Sequence, residues 1–205
     1  MTPLLLSLLL AQLSIPELDG AGAYRELEKG KFGVLSARDV KGSPYREYRV
    51  DADTPYTVAQ LCEAVWGLAT SGSATGVKLH RRLREEANLR VQYEQVGFPL
   101  ISGRDYVMTV ARAPTYEGDA CRIRFRITND EAPPVPEGFV RIERIYGEWH
   151  FTPRADGTAH VAYRMYSDPA GAVPPFIVHG AHRDAMKSAF NDALARTRKY
   201  AESGK

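Results

Sequence analysis

The stretch Pro174–Lys199, PPFIVHGAHRDAMKSAFNDALARTRK, decides the fold. Within it Phe176, Ile177, Ala181, Ala185, Met186, Ala189, Phe190, Ala193 and Leu194 recur at helical spacing, which predicts one long amphipathic helix with a single apolar face. Upstream the period changes to two: Cys121, Ile123, Phe125 and Ile127 alternate with Arg122, Arg124 and Arg126, the mark of a half-buried antiparallel strand. Similar segments run over Val77–Glu85, Leu89–Val96, Arg104–Ala111, Cys121–Thr128, Phe139–Pro153 and Thr158–Ser167. Before them, Phe32–Val40 and Tyr45–Ala52 flank the turn Lys41-Gly42-Ser43-Pro44 as a hairpin. Tyr24–Lys29 reads as a short helix leading into it, and Val58, Leu61, Cys62, Val65, Trp66 and Ala69 have helical spacing. Strand does not alternate with helix, so a doubly wound parallel sheet is disfavoured. The order predicts an α+β helix-grip fold: a curved antiparallel β-sheet wrapped around a long C-terminal α-helix, enclosing an apolar cavity.

The 205 residues suffice for one domain with a substantial core, and a formal net charge of +2 gives no reason to expect nucleic acid as a partner. The ends differ in kind. Leu4–Leu13 is an apolar run too short to span a bilayer. It reads either as the core of a secretory signal or as an ordinary N-terminal helix, since no Lys or Arg precedes it. Small residues at Ala21-Gly22-Ala23 offer a cleavage site and Ala11 another. The expected division is a leader over residues 1–23 and a single domain over 24–205. The protein would then be exported to the periplasm or beyond in a bacterium if the leader is cleaved, and cytoplasmic otherwise. Cys62 and Cys121 stand far apart in sequence and read as separate buried thiols, with pairing left open for an exported chain.

Alternation assigns residues to faces. Leu89, Val91 and Tyr93 share one, as do Tyr106, Met108 and Val110, Ile123, Phe125 and Ile127, and Val161, Tyr163 and Met165. These are the candidate lining of the concave surface, roofed by Phe176, Met186 and Phe190; alternation alone favours a solid core. Arg104 and Asp105 read as structural, fixing a strand entry. His179 and His182 lie three apart on the helix without a convincing third metal ligand. Nucleophile-elbow and phosphate-loop motifs are absent from the sequence.

Several segments are similar to those of START domains, the steroidogenic-acute-regulatory-protein-related lipid-transfer family. Gly33-Val34-Leu35 through Arg38-Asp39-Val40 to Gly42-Ser43-Pro44 resembles that family's opening hairpin. Tyr93-Glu94-Gln95 with Phe98-Pro99-Leu100-Ile101-Ser102-Gly103-Arg104-Asp105-Tyr106-Val107 resembles its P-x-x-x-R-D-(F/Y)-V strand entry, with four residues here between the Pro and the Arg. Pro136-Glu137-Gly138-Phe139-Val140-Arg141 is similar to the start of its late hairpin, and Tyr166-Ser167-Asp168-Pro169-Ala170-Gly171 with Val173-Pro174 to its entry into the last helix. The resemblance spans about Tyr24 to Arg198. It favours a lined cavity over a solid core and implies a domain that holds one lipid or other apolar small molecule in a tunnel with the C-terminal helix as its lid, with no cofactor. The expected protein is a monomer without a metal that touches membranes transiently. The resemblance also implies a departure, because Val110 stands where sterol-binding members can carry a buried arginine. The helix entry and the Gly97–Gly103 loop are expected to move to admit ligand. The alternative is a helix-grip enzyme of polyketide cyclase or hydrolase type, for which Glu94, His160 or Arg164 would supply an acid or base.

Overall fold

In the computed structural model, which describes residues 15–19, 22–68, 76–98, 101–116, 119–171 and 173–203, the alternating segments become strands. They are β1 (Arg25–Gly30), β2 (Gly33–Asp39), β3 (Arg46–Thr54), β4 (Val77–Glu86), β5 (Leu89–Phe98), β6 (Ile101–Tyr116), β7 (Ala120–Ile127), β8 (Phe139–Arg141), β9 (Arg144–Pro153) and β10 (Ala159–Asp168). Two α-helices accompany them, α1 (Val58–Leu68) and α2 (Pro175–Glu202). One sheet runs in the order β1-β2-β3-β10-β9-β7-β6-β5-β4, with antiparallel ladders throughout and short β8 added parallel to β6. The α+β helix-grip arrangement read from the sequence is the one observed. The apolar run at Leu4–Leu13 lies outside the described residues.

Tyr24–Lys29 is not a helix. Arg25–Gly30 pairs with β2 as the sheet's edge, with a register shift between Glu26 and Glu28. All six of its residues are exposed, so nothing apolar fixes its period, and a backbone ladder outweighs the modest helix preference of Glu, Leu and Lys. Charged side chains on this edge and on β4 at the other discourage pairing with foreign strands.

Helix α1 opens with reciprocal bonds, Gln60 N–H to Thr57 Oγ1 at 3.3 Å and Thr57 N–H to Gln60 Oε1 at 3.1 Å, a capping box. It sits on the concave face. The Trp66 ring lies beneath the Arg90 guanidinium at 3.8 Å, and Arg90 donates to the Trp66 carbonyl at 2.7 Å. Cys62 and Cys121 are not separate thiols: a disulfide joins α1 to β7 across a separation of 59 residues. The packing of α1 on β7 brings their Cα atoms to 6.1 Å, which sequence distance could not show.

Helix α2 buries Val178, Met186, Phe190, Ala193 and Thr197. Met186 and Phe190 join Leu35, Val50, Leu61, Val65, Trp149, Phe151 and Val161 in the main core between helix and sheet. Smaller clusters lie elsewhere. A turn of 3-10 helix over Pro16–Asp19 buries Ile15 and Leu18 against Tyr45, Tyr146, Tyr166 and Val178. The connection from Asn129 to Ile142 covers the other side of β6, where Asn129 accepts from Val107 N–H at 2.9 Å and donates to the Ile142 carbonyl at 2.8 Å.

Candidate functional site

Between the concave face and the two helices lies a cavity of about 280 Å³. Tyr106, Met108 and Val110 of β6 line it, with Ile123 and Phe125 of β7, Ile145 and Trp149 of β9, and Tyr163 and Met165 of β10. Val65 and Leu68 of α1 and Ala189 and Asp192 of α2 complete the wall, and Gln92 and Glu94 of β5 bring polarity to it. Trp149 stacks on Tyr163 with ring centroids 3.8 Å apart, giving one side a rigid aromatic wall. Gly147 makes room on another side: a Cβ there would meet the Phe125 ring at 2.2 Å and the Arg164 carbonyl at 2.4 Å.

The predicted lining divides. Tyr106, Met108, Val110, Ile123, Phe125, Tyr163 and Met165 reach the cavity. Val161, Met186 and Phe190 fill the solid core beside it. Ile127 packs against Tyr106, Ile142 and Ile145 instead. Leu89, Val91 and Tyr93 do not line the cavity: they point away from it into a separate cluster with Val107, Ala111 and Ala113. Alternation tells which residues share a face but not which face is inward, and here the polar set of β5 is the inner one. Phe176 does not roof anything; it is 77% exposed. Ten residues before Met186, at about 100° per residue, it has turned roughly 80° from the buried stripe.

The polar end centres on Glu94, 8% exposed. Tyr106 donates its hydroxyl to Glu94 Oε2 at 2.6 Å, and Gln92 Nε2 donates to Oε1 at 2.9 Å. His80 Nδ1 of β4 lies 3.1 Å from the same Oε1. Burial, then the charge of Glu94, pushes the Tyr106 phenol well above its usual value, and burial raises that of Tyr163, so both remain protonated donors. Tyr163 directs its hydroxyl to Met165 Sδ at 3.6 Å. His160 and Arg164 lie on the opposite face of β10, His160 bound to Asp51 and Asp53 and Arg164 to Glu148, so neither can act in the cavity.

Arg104 and Asp105 are structural. Arg104 donates to the carbonyls of Pro169 and Ala170 at 2.8 and 3.1 Å, tying the entry of β6 to the approach to α2. Asp105 receives Arg141 through both of its oxygens at 2.9 and 2.6 Å, and Tyr93 at 3.1 Å. His182 is held against Tyr48, and His179 Nε2 contacts the Pro44 carbonyl. Among the described residues there is no grouping of His, Cys, Asp and Glu suited to a metal, and no helix long and apolar enough to cross a membrane.

This curved sheet with a long helix closing its concave side over a lined cavity has known counterparts. A STAR-related lipid transfer protein from Xanthomonas axonopodis superposes with a TM-score of 0.67 over 86% of this chain and 97% of that one, at 21% identity. Human STARD10 superposes with a TM-score of 0.71 over 96% of this chain and 79% of that one, at 14% identity. The chain has the START fold. The START fold is also shared, more distantly, by the Zhui aromatase/cyclase from Streptomyces, with a TM-score of 0.53 over 76% of this chain and 95% of that one at 12% identity. In sequence, an uncharacterized protein of Pseudomonas aeruginosa is 29% identical over 167 residues, 78% of this chain and 80% of the relative. No family model matches the chain.

Proposed function

We propose that this START-fold protein binds a single apolar or amphipathic small molecule in the cavity and carries it between membranes, with α2 as the cover. The observation that carries the reading is the 280 Å³ cavity walled by aromatic and aliphatic side chains with a few convergent polar groups, the usual form of a small-molecule site. Its size sets a scale. An apolar cavity of about 150 Å³ holds benzene, so this one takes a body of about two rings or an equivalent chain segment. Each methylene moved out of water contributes about 0.8 kcal/mol, which is sufficient drive without chemistry. Entry requires α2 to part from the sheet, and the Arg104 bonds to Pro169 and Ala170 are the ties between the entry of β6 and the approach to α2 that would have to give. Phe176 and Ile177, 77% and 52% exposed on the first turn of α2, favour a transient membrane contact there. Native mass spectrometry of protein from its own host, with organic extraction, tests the reading. A co-purifying lipid near one-to-one supports it, and an apo mass that persists after incubation with mixed lipids removes it.

The second reading is catalysis of the aromatase/cyclase kind. What favours it is Glu94, a carboxylate at the cavity with His80 against it. It predicts loss of a small-molecule product on Glu94→Ala, where the transfer reading predicts turnover in neither protein.

The proposed location is outside the cytoplasm, supported by the disulfide, which belongs to oxidising compartments. The N-terminal cut is proposed after Ala11 rather than after Ala23. Leu18 accepts from Arg164 at 3.0 Å and Ile15 is buried, so cutting after Ala23 would strip part of the folded domain. The mass of the mature chain decides between them.

A further inference from the structure

We propose that the cavity selects an uncharged apolar ligand ending in a hydrogen-bond donor, an alcohol or an amide N–H, and turns away carboxylates and phosphates. The inference rests on the binding reading above and adds which ligands are accepted.

It starts from an unmet demand. Gln92 is 5% exposed and lines the cavity, and its Oε1 has no hydrogen-bond partner. Its amide orientation is not arbitrary: turning it over would bring its oxygen against Glu94 Oε1, which now accepts from Gln92 Nε2 at 2.9 Å. The acceptor is therefore held facing away from Glu94. Glu94 adds to the same character. A carboxylate offers about four lone-pair sites. Its partners are Gln92, Tyr106 and the His80 Nδ1, which leaves acceptor capacity at the cavity. The Tyr106 proton points at Glu94, so its oxygen presents lone pairs to everything else.

The charges agree with the acceptors. The cavity wall holds Glu94 and, on α2, the exposed Asp192, and among its described residues no Lys or Arg. An anionic headgroup entering would meet like charge and oxygen acceptors, with no cation in the wall and, as hydroxyl donor, only Tyr163, now directed at Met165 Sδ, to replace its water. A hydroxyl or amide N–H would satisfy Gln92 Oε1 while its apolar body lies along Met108, Phe125 and Trp149.

The test uses the full mature protein, with Trp149 fluorescence or calorimetry as readout, and four probes of one chain length at pH 8: decane, 1-methoxydecane, 1-decanol and decanoate. Decanol is expected to bind at least about tenfold more tightly than decanoate and several-fold more tightly than methoxydecane, as befits one buried hydrogen bond gained. Glu94→Gln is expected to narrow the gap between decanol and decanoate, and Gln92→Leu to remove the preference for decanol over methoxydecane. Should the variants fail to fold, the wild-type ranking still decides. Decanoate binding as tightly as decanol, or all four probes binding equally, overturns the selectivity while leaving the binding reading intact. If decane and the other probes all fail to bind, both fall.

Discussion

The two faces of the sheet bury carboxylates in opposite ways. On the face away from the helices, Glu148 is met by Arg164 at 2.6 Å and Arg124 at 2.5 Å, with Arg122 at 3.6 Å. Glu47 there is held by Arg38 at 2.8 Å and by the Tyr24 hydroxyl. Both glutamates are completely buried. On the cavity face Glu94 has a tyrosine, a glutamine and a histidine instead. A guanidinium saturates a carboxylate and fixes it. Donors other than a guanidinium stabilise it in part and leave it able to accept from a guest. The first arrangement holds strands together; the second is suited to recognition.

The sharpest way to break this contrast is to neutralise each acid isosterically. Glu148→Gln leaves Arg124 and Arg164 facing an uncharged amide in a buried site, and breaking such a network costs up to about 5 kcal/mol. In a chain of this size the midpoint of thermal unfolding should fall by on the order of 10 °C, with ligand binding unchanged in the folded protein. Although burial opposes its ionisation, Arg164 and Arg124 hold the Glu148 carboxyl below its usual range. Its stabilising effect is therefore present above pH 4.5 and is lost as pH falls through the depressed folded value. A calorimetric series that leaves Glu148→Gln as stable as the parent would show that its arginines find other partners.

The cavity face carries a covalent tie as well. Cys62 and Cys121 join α1 to β7 over 59 residues, and closing a loop of that length disfavours the unfolded chain by about 4 kcal/mol in the chain-entropy account. Replacing both with alanine should lower stability by a comparable amount and weaken ligand binding as well, because α1 carries Val65 and Leu68 of the wall. Denaturant melts and probe titrations of the double variant separate the two effects.

The arrangement of elements was legible in the sequence because it rests on period: two for the strands, helical for Pro175–Glu202. The lining was legible only in part. Tyr106, Met108 and Val110 were assignable to the cavity, while Leu89, Val91 and Tyr93 carried the same signal on a strand whose outer face is covered by Leu83 and Ala132. Gln92 and Glu94, the polar residues that matter most, alternate with them and look like a solvated face until the pairing Glu94↔Tyr106 is known. The arginine clusters depend on strand order and the disulfide on where α1 packs on the sheet, neither of which period encodes.

A smaller effect probes the helix that covers the cavity. Burial, then neighbouring His179, pushes the His182 imidazole down to about 4. Its Nδ1 has no partner. The unfolded chain, near its ordinary 6.5, binds that proton first, so stability should fall by up to about 3 kcal/mol as pH drops from 6.5 to 4. His182→Leu should flatten that window while leaving the steeper loss below pH 4.5, which belongs to Glu148 and other carboxylates. An unchanged slope would mean that His182 accepts its proton in the folded state by turning outward.

Glu94→Gln should have the least effect on stability. The replacement amide can still accept from Tyr106 and keeps its size, and no guanidinium is left unpaired among the groups that contact Glu94. A change within about 1 kcal/mol is expected, as for a single neutral hydrogen bond rearranged. The same substitution on the other face should cost several times more. If instead Glu94→Gln destabilises as strongly as Glu148→Gln, the cavity carboxylate is a structural anchor. The free acceptor capacity beside it would then be a by-product of packing, and the contrast between the two faces would fail.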